Sequence, residues 1–440
     1  IKLDGNYPTG SANVALGNTA LDSLSGGGYN VAIGTQALTA TTSGDANVGV
    51  GYGALDANTT ASYNVGVGYD ALGVNTTGTG NVAVGGQALD ANTTASNNTA
   101  VGYTALSSNT TGAQNTAVGR SAGVAMTTGV NNVLMGYQAG DAITTGNNNV
   151  AVGTTALSAT IGGGNNTAIG HAAMLDNTTG TNNVAVGLNA LQNNTTASNN
   201  VAIGYEALDL NQSGSNNVSV GFQSGYSNTS GINNTRLGLQ SGRSNTTGSQ
   251  NTFVGQGSGY EITTGSNNAI LGGFNGNQGG LDIRTTSNNI VLSDGAGNPK
   301  VFVDSSGNFN MLGIYNLTTG SAANVHIASS GYLYRSTSSL RYKTNVQDAS
   351  HGLSDLLNLR SVTYQQKMPD ANGEDVIKVY GGLIAEEVHD AGLTEFVQYN
   401  NDDEPDALDY GNMVSLCIKA IQEQQETITA LTARIEALEA

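Results

Sequence analysis

Apolar and polar positions along the first 276 residues repeat with a period of seventeen. The unit reads Asn81-Val82-Ala83-Val84-Gly85, then Gln87-Ala88-Leu89, then Asn92-Thr93-Thr94. Its leading asparagine recurs sixteen times without a slip, from Asn13 through Asn30, Asn47 and Asn64 to Asn268, and four residues after each stands a glycine, Gly17 to Gly272. A fixed short period means that one supersecondary unit stacks on copies of itself. Val82-Ala83-Val84 alternates larger and smaller side chains between Asn and Gly punctuation, which predicts a short strand. Seventeen residues suffice for two short strands and two turns. The Thr-Thr-Gly and Thr-Thr-Ala segments mark one corner, and the glycine after the strand marks the other, where a positive φ or close backbone approach is needed. The expected fold is therefore mostly β, a parallel β-roll or β-solenoid in which the asparagines stack and their amides bond in a ladder. With a rise of roughly 4.8 Å per coil, sixteen coils make a rod on the order of 75 Å long.

Such a coil has a thin interior. The first and third strand positions and the Ala-Leu pair (Ala20-Leu21, Ala37-Leu38, Ala54-Leu55) are the apolar positions expected inside. Burial at about 25 cal/mol per Å² then has to offset roughly 1–2 kcal/mol of backbone entropy per residue, so self-association is expected. From Asn217 onward the Ala-Leu pair becomes Ser-Gly (Ser224-Gly225, Ser241-Gly242, Ser258-Gly259), which predicts a narrowed or repacked cross-section.

The period breaks after residue 276. Asn289-Ile290-Val291-Leu292 arrives twenty-one residues after Asn268, and two turn signals follow, Asp294-Gly295-Ala296-Gly297-Asn298 and Asp304-Ser305-Ser306-Gly307-Asn308. Residues 277–337 therefore read as a β-meander neck. Neither turn matches a calcium-binding loop with its distal Glu, so both read as plain turns. At residue 338 the composition changes to charged residues, Leu, Gln and helix formers, which marks a third segment, 338–440. Its part 338–410 reads as α+β and 411–440 as a coiled-coil helix. Val414, Ile421, Ile428 and Ile435 stand seven apart, with Cys417, Gln424, Leu431 and Leu438 three residues after each, an a/d seam. Cys417 is expected as a small buried core residue of that seam.

Two resemblances follow from these motifs. The N-V-A-V-G and N-V-A-I-G units, each followed by a small-residue pair, resemble the head repeats of trimeric autotransporter adhesins, and similar repeats occur in phage tail-fibre proteins. That likeness covers about 13–276 and implies a trimer of parallel β-rolls. Over 338–440, Ser338-Ser339-Leu340-Arg341-Tyr342-Lys343, Leu359-Arg360-Ser361-Val362-Thr363-Tyr364, Gly381-Gly382-Leu383-Ile384-Ala385-Glu386-Glu387-Val388 and the terminal helix occur in order. They resemble the C-terminal intramolecular chaperone of endosialidase tailspikes and many phage tail fibres. The resemblance implies that this domain drives three chains to trimerise and then cuts itself off by a serine–lysine mechanism. Carried onto this chain, the nucleophile is Ser338, the base Lys343 and the scissile bond Thr337–Ser338. Many relatives have Asp after the nucleophile where this chain has Ser339.

A serine hydroxyl needs a base, and a lysine serves only when neutral, so its pKa near 10.4 must be lowered by burial or a nearby cation. Arg341 is the candidate cation. Five residues of separation do not share a helix face, so Ser338 and Lys343 would meet across a bend that assembly could complete.

Composition narrows the functions further. The net charge of −18 in 440 residues, with 18 of the 32 acids in 338–440, argues against nucleic acid, because phosphate contacts need basic clusters. One cysteine excludes an intrachain disulfide framework, and no apolar run approaches membrane-spanning length. His171, His326, His351 and His389 lack metal-ligand spacing, and no cofactor or metal is expected. The acidic run Asp402-Asp403-Glu404, Asp406, Asp409 reads as a solvated loop. Because residue 1 is Ile, a preceding piece is expected, which would carry an attachment module or secretion signal.

The expected partners are two further copies in a homotrimer and a host cell-surface receptor, glycan or protein. The expected function is a tail-fibre shaft of a virion, folded in the host cytoplasm and released from its chaperone by a single-turnover self-cleavage. Two alternatives are a bacterial trimeric surface adhesin at the cell surface and a polysaccharide-depolymerising tailspike. The tailspike reading would draw on clustered acids or on the column Tyr52, Tyr69, Tyr103, Tyr137 and Tyr205.

Overall fold

Sixteen three-residue strands, β1 (Val14–Leu16) to β16 (Ala269–Leu271), each pair in parallel with the strand one coil away. The register is set by the repeat itself, for example Val65↔Val82, Gly66↔Ala83 and Val67↔Val84. The computed structural model describes residues 11–311, 325–327, 333–335, 344–369, 375–400 and 402–439. The chain divides into two units, Ile1–Thr318 and Thr319–Ala440.

The asparagine ladder forms along the whole stack. Asn81 donates its backbone N–H to Asn64 Oδ1 at 2.9 Å and its amide to the Ala95 carbonyl at 2.8 Å, so each side chain ties two coils and closes its own. The same bond recurs from Asn30 onto Asn13 to Asn289 onto Asn268. These asparagines are almost wholly buried, and the cost of burying an amide is met because its groups are bonded. The glycine corner is required on two counts. Gly85 has φ +137°, and a Cβ there would stand 2.5 Å from the Gly102 carbonyl oxygen of the next coil.

Two expectations about the coil are corrected. The inward strand residue is the middle one, not the first and third: Ala32, Gly49, Ala83, Leu134 and Phe253 are buried while their neighbours stay partly exposed. The interior of so tight a winding admits Ala or Gly there, and the larger β-branched residues are turned outward by the pleat. The second side of the coil is also not a strand. It is a turn segment whose backbone still bonds coil to coil, Leu38 N–H to Ala54 O and Ala40 N–H to Asp56 O, each at 3.0 Å.

That segment places leucine in the left-handed region in coil after coil, as at Leu38 (φ 54°), Leu72 (φ 56°) and Leu106 (φ 51°). The conformation costs about 1–2 kcal/mol. Complete burial of the side chain returns about 1.5–3 kcal/mol, so the side chain wins. Where the sequence switches to glycine, another coil position supplies the volume: Leu134 fills the space over Gly123 and Gly140, and Phe253 that over Gly242 and Gly259. The cross-section is therefore repacked.

A second buried ladder runs through Asn58, Asn75, Asn92 and Asn109, with Asn92 Nδ2 bonded to Asn75 Oδ1 at 2.8 Å. It stops at Met126 and Ile143, leaving Asn109 Oδ1 without a partner, and resumes from Thr160 through Asn177, Asn194 and Asn211 to Asn228. Outside it a threonine ladder marks the Thr-Thr corner, Thr76 Oγ1 donating to Thr93 O at 3.0 Å.

The winding continues one step past the broken period. The extra residues form a small antiparallel pair, β17 (Asn277–Gln278) with β18 (Leu281–Asp282). Next, β19 (Ile290–Ser293) pairs in parallel with β16. Two antiparallel pairings follow, β19 with β20 (Pro299–Val303) and β20 with β21 (Phe309–Met311). Asp294 and Asp304 spend their carboxylates inside their own turns, each Oδ1 accepting two backbone N–H groups, from Ala296 and Asn298 and from Ser306 and Asn308. The Asn298 backbone N–H and Lys300 hold Asp294 down to about 2.

Candidate functional site

The second unit is built from short elements around one apolar cluster. Two hairpin strands, β22 (Val325–Ile327) and β23 (Leu333–Arg335), precede α1 (Leu353–Leu357). A long hairpin follows, β24 (Val362–Pro369) with β25 (Asp375–Gly382). Then come α2 (Ala385–Asp390), the antiparallel pair β26 (Val397–Tyr399) and β27 (Pro405–Leu408), and the thirty-residue α3 (Tyr410–Glu439). Val388, Leu393, Phe396, Met413 and Leu416 form the core, with Leu356 and Leu383 packed against it.

The sequence motifs meet here. Arg360 pairs with Glu387 through Nε–Oε2 at 3.2 Å and through Nη2–Oε1, joining the L-R-S-V-T-Y stretch to the G-L-I-A-E-E-V stretch. The Arg360 side chain lowers the Glu387 carboxyl, and Glu387 raises the guanidinium in return. The pair is exposed, so it fixes orientation more than it stabilises. Tyr410 Oη, at the start of α3, accepts the Leu383 N–H at 2.7 Å and reaches the Leu383 carbonyl at 3.3 Å. Gly382 permits this approach, since a Cβ there would stand 2.7 Å from Tyr410 Oη. Glu423 on α3 accepts the Leu353 N–H at 2.7 Å, satisfying a free donor at the start of α1. Arg360, Tyr364, Leu383, Glu386, Asp406 and Tyr410 are among the residues lining an open cleft of about 740 Å³.

Thr337, Ser338, Arg341 and Lys343 lie outside the described residues. The scaffold that follows them is described from Thr344 onward. Sequence reasoning assigned no role to Arg360, Glu387 or Tyr410. The opposite charges within two of the quoted motifs were the signal for the ion pair, and nothing local marked Tyr410.

The helix α3 has two faces. Met413, Leu416 and Ala420 are buried against its own unit. Val414, Ile421, Ile428, Leu431, Ile435 and Leu438, the predicted a and d residues, are 48–79% exposed. Cys417, expected as buried, is exposed on the single chain.

On the solenoid, the third strand residues form a matching apolar line: Ile33, Val84, Met135, Ile169, Ile203 and Leu237 are 36–42% exposed. The aromatic column stacks upon itself, Tyr52 on Tyr69 at 5.5 Å and Tyr205 on Phe222 at 5.1 Å. Each ring thereby gives one face to its neighbour. Burial, and then Glu206, pushes Asp209 up to about 6, and Glu206 itself is held by Gln223 Nε2 at 2.8 Å. Among the described residues no group of three or more acidic, histidine or cysteine side chains could hold a metal.

Residues 338–398 match the family model described as Chaperone of endosialidase. No curated protein and no solved structure matches the chain. A long parallel β-solenoid in one unit and an endosialidase-chaperone segment in the C-terminal unit together fit a tail-fibre-like protein with a C-terminal chaperone.

Proposed function

We propose that the chain is the shaft of a trimeric phage tail fibre, meets a host cell-surface glycan or protein, and carries its own assembly factor in residues 338–440. The observation that carries this is the uncovered a/d seam of α3, six aliphatic residues at heptad spacing with no cover from their own chain. A helix with such a face pairs with copies of itself. Three copies satisfy both the seam and the aliphatic line of the solenoid under one symmetry axis.

Cleavage follows assembly in this reading. Lys343, neutral once buried beside Arg341, takes the Ser338 hydroxyl proton as Ser338 Oγ attacks the Thr337 carbonyl carbon. The Thr337–Ser338 C–N bond breaks, the Ser338 nitrogen leaves as an amine with the transferred proton, and water hydrolyses the resulting Thr337 ester. The solenoid unit is then free of its helper and remains in the virion. Intact-mass measurement of the purified full chain tests this step. The expected result is a fragment beginning at Ser338, lost in both Ser338→Ala and Lys343→Ala. A chain that assembles yet stays whole removes the cleavage and leaves the chaperone role.

A further inference from the structure

One slice of the solenoid breaks the repeat three times over. The middle strand residue is Ala or Gly in the first seven coils, yet Ser219 and Arg236 occupy it in consecutive coils and lie side by side in register. At the same level the left-handed corner leucine is replaced, by Gly225 and Gly242. Ser219 and Arg236 are both fully buried.

Arg236 is only half satisfied. Its Nη2 donates to Asn228 Oδ1 at 3.0 Å and Asn245 Oδ1 at 2.9 Å, taking over the second asparagine ladder where Asn245 turns its own amide to Thr263 O. Nε and Nη1 have no partner, and neither does Ser219 Oγ. No carboxylate is paired with this guanidinium among the described residues. Burial pushes its pKa down to about 9, so it is still a cation at neutral pH. An ionised group taken out of water without counter-charge costs several kcal/mol.

The unpaired donors converge. A Cβ on Gly225 would lie 2.8 Å from Ser219 Oγ and 3.0 Å from Arg236 Nη1, so both project into the space that the missing side chain leaves. Three N–H or O–H donors and a positive charge around one point make anion chemistry. Water, which would need acceptors as well as donors, suits the set less well.

We propose that this slice encloses a small monovalent anion, a halide such as chloride, held by Ser219 Oγ–H and Arg236 Nη1–H and Nε–H. The ion neutralises Arg236 and completes the core where the repeat changes from its Ala-Leu to its Ser-Gly packing. It enters as the coils close.

The test uses the full chain purified and crystallised with bromide in place of chloride, together with thermal unfolding in halide against sodium gluconate at equal ionic strength. The expected results are an anomalous bromide peak at hydrogen-bonding distance from Arg236 Nη1 and Ser219 Oγ, and a saturable rise in Tm of about 2–4 °C with halide. Arg236→Met removes that rise, and Ser219→Ala weakens it. A water or no peak at this position, or an Arg236→Met chain with the native halide response, overturns the proposal. Should Arg236→Met fail to fold, the bromide map of the native chain decides alone.

Discussion

The solenoid and the C-terminal unit solve the same problem of order in opposite ways. In the solenoid every coil offers its neighbour the same Asn, Gly and Leu at the same offset, so a coil fits any other coil. Within one chain the covalent sequence fixes which coil follows which. Between chains it fixes nothing, because sliding one rod by a whole coil forfeits contacts only at the two ends and leaves the aliphatic line matched elsewhere. The C-terminal unit has no repeat. Its Arg360–Glu387 pair, its Tyr410–Leu383 bonds and the interrupted spacing of its buried residues define one arrangement. A periodic shaft therefore needs an aperiodic partner to choose its register, and once the choice is made the partner has no further use.

Breaking the aperiodic side has the largest effect. Ile421→Asp with Ile428→Asp places two charges in the α3 seam, and the full chain is expected to lose its trimer altogether in sedimentation velocity runs. The same chain keeps its unit folded, because Met413, Leu416 and Ala420 bind the other face of the helix.

Core truncation comes next and separates the two units by burial. Leu89→Ala empties a fully buried site and is expected to cost about 2–5 kcal/mol, whereas Leu357→Ala, on an exposed α1 residue, stays within about 0.5 kcal/mol. Denaturant melts of each variant give both figures. Asn149→Ala ranks below Leu89→Ala. It removes the acceptor of the Asn166 backbone N–H and the donor to Gly163 O, a loss of about 1–3 kcal/mol, and hydrogen exchange at Asn166 and Gly163 is expected to rise locally.

The smallest effects are in pH and carry opposite signs. Asp209 is held above its unfolded value, so the folded state binds its proton more tightly. Stability then falls as pH rises from about 4 to about 6 and is flat above. Asp294 is held below its unfolded value, so its contribution is present above about pH 4 and is lost as pH falls toward about 2. Asp209→Asn flattens the upper slope and Asp294→Asn the lower one in melts across pH.

The sequence made the period, the strand, the glycine corner and the asparagine ladder legible, since each is one residue type at one offset. The direction of the strand was not. Val82 and Val84 carry the hydrophobic signal, but the coil is so narrow that only Ala83 fits inside, and an alanine contributes little to any apolar pattern. The second asparagine ladder was hidden because Asn58, Asn75 and Asn92 stand beside the Thr-Thr corner, where asparagine also serves as a turn residue. Leucine at φ near +55° runs against intrinsic preference, and only the finished core favours it. In the C-terminal unit the motifs and the heptad seam were plain. The seam's exposure on a single chain was foreseeable from its spacing, and Cys417 belongs to that seam rather than to a core of its own chain. The cleavage residues Thr337, Ser338 and Lys343 stand on the resemblance and await their test.

Native mass spectrometry of the Ser338→Ala full chain tests the central claim most directly. The account predicts a single species of three intact chains, which falls to one chain when Ile421→Asp and Ile428→Asp are added. A Ser338→Ala species of one chain at micromolar concentration, or a trimer that survives those two substitutions unchanged, would contradict it.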